Sequence, residues 1–147
     1  MSDLRDLYQQ VILDHNRQPR NFRIIDPVSN KADGYNPLCG DKVTIYVEVK
    51  DGVIKDAAFQ GRGCAISTAS ASLMTDTVKG KTLAEAESIF QVFHNVVTGS
   101  DTLSANLGKL AVLAGVRDYP SRVKCATLAW HTMHAALENN AETVVTE

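Results

Sequence analysis

The sequence predicts an α+β domain, with a small three-stranded antiparallel sheet and helices packed mainly on one of its faces. Two stretches with the alternating pattern of half-buried strands, residues 43–49 and 53–60, are separated by a tight-turn dipeptide, Asp51-Gly52. Segments with helical periodicity come before and after this hairpin rather than between its strands. This order differs from the strand-helix alternation of a parallel α/β fold.

The first helix is predicted over residues 3 to about 17, where Ser2 or Asp3 can cap the start. Pro19 ends it, because proline lacks the backbone N–H that a helix needs. In the polar connection that follows, residues 32–35 favour a short strand, the third of the sheet. The apolar residues at helical spacing are Leu4, Leu7, Tyr8, Val11 and Ile12.

The hairpin brings distant residues together. Valine and isoleucine occupy positions 43, 45, 47 and 49 and alternate with polar residues, so one face of this strand is predicted to be buried. Because the turn reverses the chain directly, the segment before the first strand and the loop after the second lie at the same end. Cys39 and Asp41 are therefore expected to lie near Cys64.

Two helices are predicted after the hairpin. The run that follows Cys64 has small residues on all sides, which suits a helix packed closely against its neighbours, and Gly80 stops it. Thr82 and Glu85 are typical of a capping box, and the apolar stripe that follows them ends near Gly99.

The rest of the chain favours one short helix around residues 107–113 and a long final helix. Pro120 opens the final helix, which carries Cys125 near its first turn. Asn139-Asn140 ends it, and the tail to residue 147 is expected to be frayed.

Length and composition indicate one domain, residues 1–147, with a real hydrophobic core, since 44% of the residues are apolar. Fifteen Lys and Arg against seventeen Asp and Glu give a formal charge of -2 with no long run of either sign. This charge distribution does not favour a nucleic-acid or membrane-surface binder.

The first residues lack a signal-peptide pattern, and no apolar run is long enough to span a membrane. A cytoplasmic protein is therefore expected.

Three cysteines and one aspartate form a candidate metal site. Three thiols cannot all pair in one chain, and in a reducing compartment they are ligands, nucleophiles or core residues. Cys39, Asp41, Cys64 and Cys125 match the four sulfur and oxygen ligands that zinc accepts. Cys64 and Cys125 are placed at helix starts, which favours their thiolates. Basic residues adjacent to these ligands agree with an anionic centre: Lys42, Arg62, Arg122 and Lys124.

The cysteines also allow a simpler interpretation. A lone cysteine in an apolar helix, such as Cys125, is more often a small core residue than a ligand. Cys39, beside Gly40 and close to Pro37 and Asp41, fits a core poorly. Considered jointly, the three cysteines favour the metal site.

The four histidines are given no role at this site. His131 and His134 are rotated well away from Cys125 on the last helix. They could chelate a metal on the surface, but solvated helix residues are the simpler interpretation. His15 and His94 are expected at the polar edges of their helices.

Three motifs occur in order along the chain: Asn36-Pro37-Leu38-Cys39-Gly40-Asp41, Gly61-Arg62-Gly63-Cys64-Ala65-Ile66-Ser67 and Arg122-Val123-Lys124-Cys125-Ala126-Thr127-Leu128-Ala129-Trp130. Together they resemble the IscU/NifU N-terminal family of iron–sulfur cluster assembly proteins, and the resemblance spans nearly the whole chain. Two features look like the SufU-type branch, namely Lys124 where scaffolds carry histidine, and an added segment at about residues 100–119.

The SufU-type resemblance implies a zinc-dependent sulfur carrier. Zinc would be bound by Cys39, Asp41, Cys64 and Cys125, and Cys39 would accept sulfane sulfur from the persulfide of a SufS-type cysteine desulfurase. The partner enzyme would supply a histidine that replaces Cys39 on zinc. Arg122 would steer the anionic persulfide or gate the exposure of Cys39. Downstream partners would be other Suf assembly proteins.

Two alternatives stay open. The first is a scaffold on which iron and a transient [2Fe–2S] cluster are assembled on the same cysteines, with Asp41 as the labile oxygen ligand. The second is a non-catalytic binding module in which zinc only stabilises the fold.

Overall fold

A sheet of four strands forms one layer of the domain, and helices pack against it. The structure, a computed structural model, describes residues 2–37, 39–98, 110, 113, 116, 119–138 and 143–145; for residues 2–8 and 120 it describes the backbone alone. The α+β class predicted from the sequence is confirmed. The elements in chain order are α1 (Ser2–Arg17), β1 (Asn30–Asn36), β2 (Asp41–Lys50), β3 (Val53–Arg62), α2 (Ala65–Val78), α3 (Leu83–Val97), α4 (Pro120–Leu137) and β4 (Val144–Val145).

The sheet differs from the predicted one in its fourth strand. Its order is β3-β2-β1-β4, and β4 pairs parallel to β1, with Gly34 opposite Val144 and Tyr35 opposite Val145. The predictions of three antiparallel strands and of a frayed tail were therefore wrong at residues 144 and 145. Two residues are too few to show an alternating pattern, and their pairing depends on the free edge of β1.

The hairpin of β2 and β3 forms as predicted. Asp51 and Gly52 have φ angles of 55° and 76°, the left-handed pair of a type I′ turn. The pairing then places Lys42 opposite Arg62. The start of β2 and the end of β3 therefore lie side by side, which brings Asp41 next to the loop that carries Cys64.

Helices α2 and α4 form the centre of the core. The small residues of α2 allow this close packing, as the sequence predicted, and its hydroxyl groups find partners. Ser70 donates to the Ala126 carbonyl at 2.5 Å and accepts from Trp130 Nε1 at 3.2 Å. The residues of α4 that are at most 2% exposed form one broad face of the helix: Cys125, Ala126, Leu128, Ala129, Trp130, Thr132, Met133 and Ala136.

His15 is buried, which corrects the expectation that it lies at a polar edge. Its side chain is 2% exposed, and its Nδ1 lies 2.6 Å from the hydroxyl of Ser72 on α2. The same hydroxyl accepts the backbone N–H of Arg20 at 2.8 Å. The sequence pattern gave no sign of this burial, because it depends on a hydroxyl partner on another helix.

The segment predicted as an insertion, about residues 100–119, lies mostly outside the described residues, as does most of the short helix predicted around 107–113. Leu110, Leu113 and Val116 are described, and all three are buried in the core. Across the described part of the chain, no helix has the length and apolar character needed to span a membrane.

Helix α4 crosses strand β1 with very little space between them. A Cβ atom at Gly34 would lie 2.1 Å from Thr132 Oγ1 and 3.1 Å from a methyl carbon of Leu128. Only glycine therefore allows this approach. The contact sets the distance between the end of β1 and the first turns of α4.

Gly34→Ala should destabilise the protein by about 1–3 kcal/mol, because the added methyl group overpacks this contact. Urea unfolding measures the loss. The control is the same measurement in a Thr132→Ala background, which lacks the hydroxyl that the new methyl group would meet. In that background Gly34→Ala should lower the free energy of unfolding by less. Equal losses in both backgrounds would contradict this account of the contact.

Candidate metal centre

Cys39 and Asp41 lie on the connection between β1 and β2. Asn36, the last residue of β1, pairs with Asp41, the first of β2, so the loop between them is closed at its base. Gly40 has φ of +71°, a left-handed conformation that suits glycine. Cys39 is exposed on this loop, whereas Asp41 is fully buried at its base.

Cys64 occupies the N-cap of α2, as the sequence predicted. Its sulfur accepts the Ser67 N–H at 3.4 Å. Its own backbone N–H donates to Asp41 Oδ1 at 2.8 Å, and its sulfur lies 3.8 Å from Asp41 Oδ2. The aspartate therefore links the loop of Cys39 to the start of α2.

Cys125 lies on the second turn of α4, inside the helix rather than at its start. It is 2% exposed. The side-chain amide of Asn36 donates to its sulfur at 3.6 Å, and that sulfur is 3.2 Å from the sulfur of Cys39.

The arrangement suits a small tetrahedral ion. One ligand atom from each of Cys39, Asp41 and Cys125 lies within 4.8 Å of the other two. Cys64 falls outside that group but contacts Asp41 at 3.8 Å. In a tetrahedral zinc site with thiolate and carboxylate ligands, neighbouring ligand atoms are about 3.4–3.8 Å apart. The separations of 3.2 and 3.8 Å are close to this range, so these residues fit such an ion.

The environments of two thiols shift their pKa values in opposite directions. A hydrogen bond with the Cys125 thiol and one from the Ser67 N–H together lower the pKa of Cys64 to about 7, against the opposing effect of burial. The hydrogen bond to Cys64 and burial raise the pKa of Cys125. Cys64, at the N-cap of α2, is thus in an environment that favours its thiolate.

Two basic residues that lie near the ligands in sequence are held over aromatic rings. The Arg122 guanidinium is 4.8 Å from the centre of the Tyr119 ring, and Lys42 Nζ is 5.7 Å from that of Tyr35. Arg122 is exposed and precedes Cys125 by three residues, which is nearly one helical turn. Its charge therefore lies on the surface close to the thiols.

Two residues that contact the ligands were not predicted to do so. The buried amide of Asn36 contacts Cys125, and a Cβ atom at Gly63 would lie 2.5 Å from Asp41 Oδ1. Both belong to the quoted motifs, yet neither has a role that spacing alone reveals. Their contacts arise from the approach of α4 to β1 and of β2 to β3.

The histidines of α4 are not the solvated residues that the sequence suggested. His134 Nδ1 lies 2.7 Å from Glu87 on α3, and its Nε2 is 3.1 Å from Glu138. The ring of His131 meets that of Phe90 edge-on at 5.1 Å. Burial lowers the pKa of His131. Both histidines therefore contribute to the contact between α3 and α4.

Comparison with known proteins identifies the family. The family model described as the NifU-like N-terminal domain matches residues 7–126. The chain belongs to the NifU-like N-terminal domain family. The resemblance found in the three motifs is confirmed.

Relatives of this NifU-like chain cover nearly its whole length. It is 40% identical over 133 residues to the zinc-dependent sulfurtransferase SufU of Bacillus subtilis, a match that covers 90% of each chain. It is 39% identical over 142 residues to the iron–sulfur cluster assembly scaffold protein IscU of Streptococcus pyogenes, covering 96% of this chain and 89% of that one.

A solved structure supports the same fold. The crystal structure of a putative iron–sulfur cluster assembly scaffold protein for the SUF system, from Fervidobacterium islandicum, matches with a TM-score of 0.83 at 34% identity. The match covers 89% of this NifU-like chain and 96% of the other.

Gly63→Ala should weaken zinc binding about 10- to 100-fold, because the new methyl group displaces the Asp41 carboxylate. Competition with a chromogenic chelator measures the affinity. Gly80→Ala is the control, since a Cβ atom there meets nothing within 4 Å although its φ of +81° is strained for alanine. An unchanged zinc affinity in Gly63→Ala would contradict the role of this contact.

Proposed function

We propose that this protein is a zinc-dependent sulfur carrier in iron–sulfur cluster assembly, and that Cys39 accepts persulfide sulfur from a cysteine desulfurase of the SufS type. The observation that carries the proposal is the graded exposure of the three thiols. Cys39 is exposed, Cys64 is half-buried and Cys125 is buried. One thiol of the cluster can therefore reach the active site of another protein while the other two stay in the fold.

Zinc is the metal we propose for this site, held by Cys39, Asp41, Cys64 and Cys125. The donor set of three sulfurs and one carboxylate oxygen is typical of zinc. The relative in Bacillus subtilis is named a zinc-dependent sulfurtransferase, which supports this choice. Bound zinc would keep the thiols deprotonated and protect them from oxidation.

The transfer is a thiol–disulfide type of exchange. The Cys39 thiolate attacks the outer sulfur of the persulfide on the desulfurase cysteine. The bond between the two donor sulfurs breaks, the desulfurase cysteine leaves as a thiolate, and Cys39 carries the persulfide. The loop around Gly40 supports this role, because it presents Cys39 at the surface without disturbing Asp41 at its base.

Arg122 would act as a positioning residue for the transfer. Its guanidinium, held over the Tyr119 ring, is a positive group on the same surface. A persulfide is anionic, and a nearby guanidinium favours its approach. Downstream, other Suf assembly proteins would receive the sulfur.

The second candidate is a scaffold on which a [2Fe–2S] cluster is assembled. The 39% identity to an IscU scaffold over 96% of this chain favours it. The same four residues would hold the cluster, with Asp41 as the oxygen ligand. Anaerobic addition of iron, cysteine and desulfurase distinguishes the two: a stable visible chromophore with little stimulation of the desulfurase supports the scaffold.

Cys39→Ser should abolish sulfur acceptance, because the remaining thiols are half-buried or buried. The zinc-loaded protein is mixed with desulfurase and cysteine, and sulfide release and protein mass are measured. Wild type should stimulate the desulfurase and gain the mass of one sulfur atom on Cys39. Cys64→Ser, which also removes one thiol, should still gain its sulfur on Cys39 when its zinc content matches that of wild type. Sulfur found mainly on Cys64 or Cys125 in wild type would reject the assignment.

Arg122→Ala should lower stimulation of the desulfurase about fivefold, which is the effect of about 1 kcal/mol from a surface charge. Zinc content should not change, because Arg122 is not a ligand. Arg23→Ala is the matched control, since Arg23 is an exposed arginine paired with Asp56 at 2.6 Å. If both variants stimulate as wild type does, Arg122 has no such role.

A further inference from the structure

We propose that Cys125 is a resolving thiol for the persulfide on Cys39. When no metal occupies Cys125, its sulfur attacks the inner sulfur of the Cys39 persulfide, releases sulfide and leaves a disulfide between Cys39 and Cys125. The inference rests on the proposed function for the origin of the persulfide. The arrangement of the two thiols that carries it is independent of any desulfurase.

The two sulfurs are already close. They are 3.2 Å apart, and a disulfide bond requires about 2.05 Å, so an approach of about 1 Å completes it. Cys125 is held on the second turn of α4 and is 2% exposed. Cys39 is exposed on the loop with Gly40. The loop can therefore supply the movement while α4 stays in place.

The direction of approach suits the exchange. Attack on a sulfur–sulfur bond places the attacking sulfur, the central sulfur and the leaving sulfur in a line. Cys39 is exposed, so the outer sulfur of its persulfide has room at the surface. Cys125 is buried, and its sulfur is 3.2 Å from that of Cys39. An attack by Cys125 would therefore come from the interior and leave the sulfide free to depart into water.

The step is balanced without an added oxidant. The bond between the inner and outer sulfurs of the persulfide breaks, and the bond between the Cys39 and Cys125 sulfurs forms. Cys125 attacks as the thiolate and releases its proton to solvent; because its hydrogen bond to Cys64 and its burial raise its pKa, this deprotonation limits the rate of the step. The outer sulfur gains two electrons and leaves as sulfide. The two cysteines are oxidised to the disulfide, which an external dithiol must reduce before the next transfer.

A metal ion on Cys125 would make this thiol unavailable. Zinc-loaded protein should therefore retain its sulfane sulfur, whereas metal-free protein should discharge it as sulfide. Cys64 is the control thiol, because it lies outside the group of ligand atoms that Cys39, Asp41 and Cys125 form within 4.8 Å. The protein would thus act as a sulfur carrier when a metal is bound and would release free sulfide when no metal is bound.

The test loads the persulfide chemically, with inorganic polysulfide under anaerobic conditions and without reductant. Two metal-free variants form a matched pair: Cys64→Ser keeps Cys39 and Cys125, and Cys125→Ser keeps Cys39 and Cys64. After removal of excess polysulfide, released sulfide and intact mass are followed over time, and circular dichroism checks the fold of each variant.

We expect Cys64→Ser to release close to one sulfide per protein and to lose the mass of two hydrogen atoms relative to its unloaded form. Cys125→Ser should retain the mass of the added sulfur. In metal-free wild type, peptide mapping should find Cys39 joined to Cys125, a result that needs no variant. Addition of zinc before loading should suppress the release.

Equal retention of sulfur by both variants, or a Cys39–Cys64 disulfide in wild type, would overturn the inference. Because polysulfide replaces the desulfurase, these outcomes are separate from a failure of the proposed function. That failure would appear as absence of sulfur transfer from the enzyme to Cys39.

Discussion

Helix α4 approaches strand β1 so closely at Gly34 that a side chain there would overlap the hydroxyl of Thr132. This contact lies between the two elements that carry Asn36 and Cys125, and their side chains meet at 3.6 Å. Because a broad face of α4 packs in the core, the helix cannot turn or slide without disturbing that packing. Packing therefore sets the position of Cys125.

Asp41 connects the Cys39 loop to Cys64 at the start of α2. It is fully buried, and its carboxylate accepts the backbone N–H of Cys64 at 2.8 Å. A buried carboxylate is costly unless it is hydrogen-bonded or binds a cation. One oxygen is satisfied by the start of α2, and the other lies 3.8 Å from the Cys64 sulfur. The residue thus belongs both to the packing at the start of α2 and to the candidate metal site.

The sequence predicted those features that depend on local pattern. The alternating strands, the Asp51-Gly52 turn and the capping box of α3, where Thr82 Oγ1 accepts the Glu85 N–H, were all predictable because each rests on neighbouring residues. The hairpin then led to the meeting of Asp41 with Cys64. The three-motif order identified the family without any structural information.

Other features could not be predicted because they depend on contacts between distant segments. The burial of His15 requires Ser72, and the two residues of β4 require the edge of β1. The raised pKa of Cys125 follows from its hydrogen bond to Cys64 and from its burial, whereas the sequence indicated only that it lies near a helix start. The role of Gly63 emerges only when the Asp41 carboxylate is in place beside it.

The number of residues in β2 and β3 fixes where Cys64 lies relative to Asp41. The pairing of these strands has one β-bulge, between Glu48 and Val49, and from there runs in register to Lys42 opposite Arg62. Inserting a further residue in β3 between the bulge and Arg62 would exchange the inward and outward faces of the strand and displace everything beyond it by about 3.3 Å. Cys64 would then lose its backbone bond to Asp41. Evolution of this protein can therefore vary the outward-facing side chains of the hairpin far more freely than the number of residues in its strands.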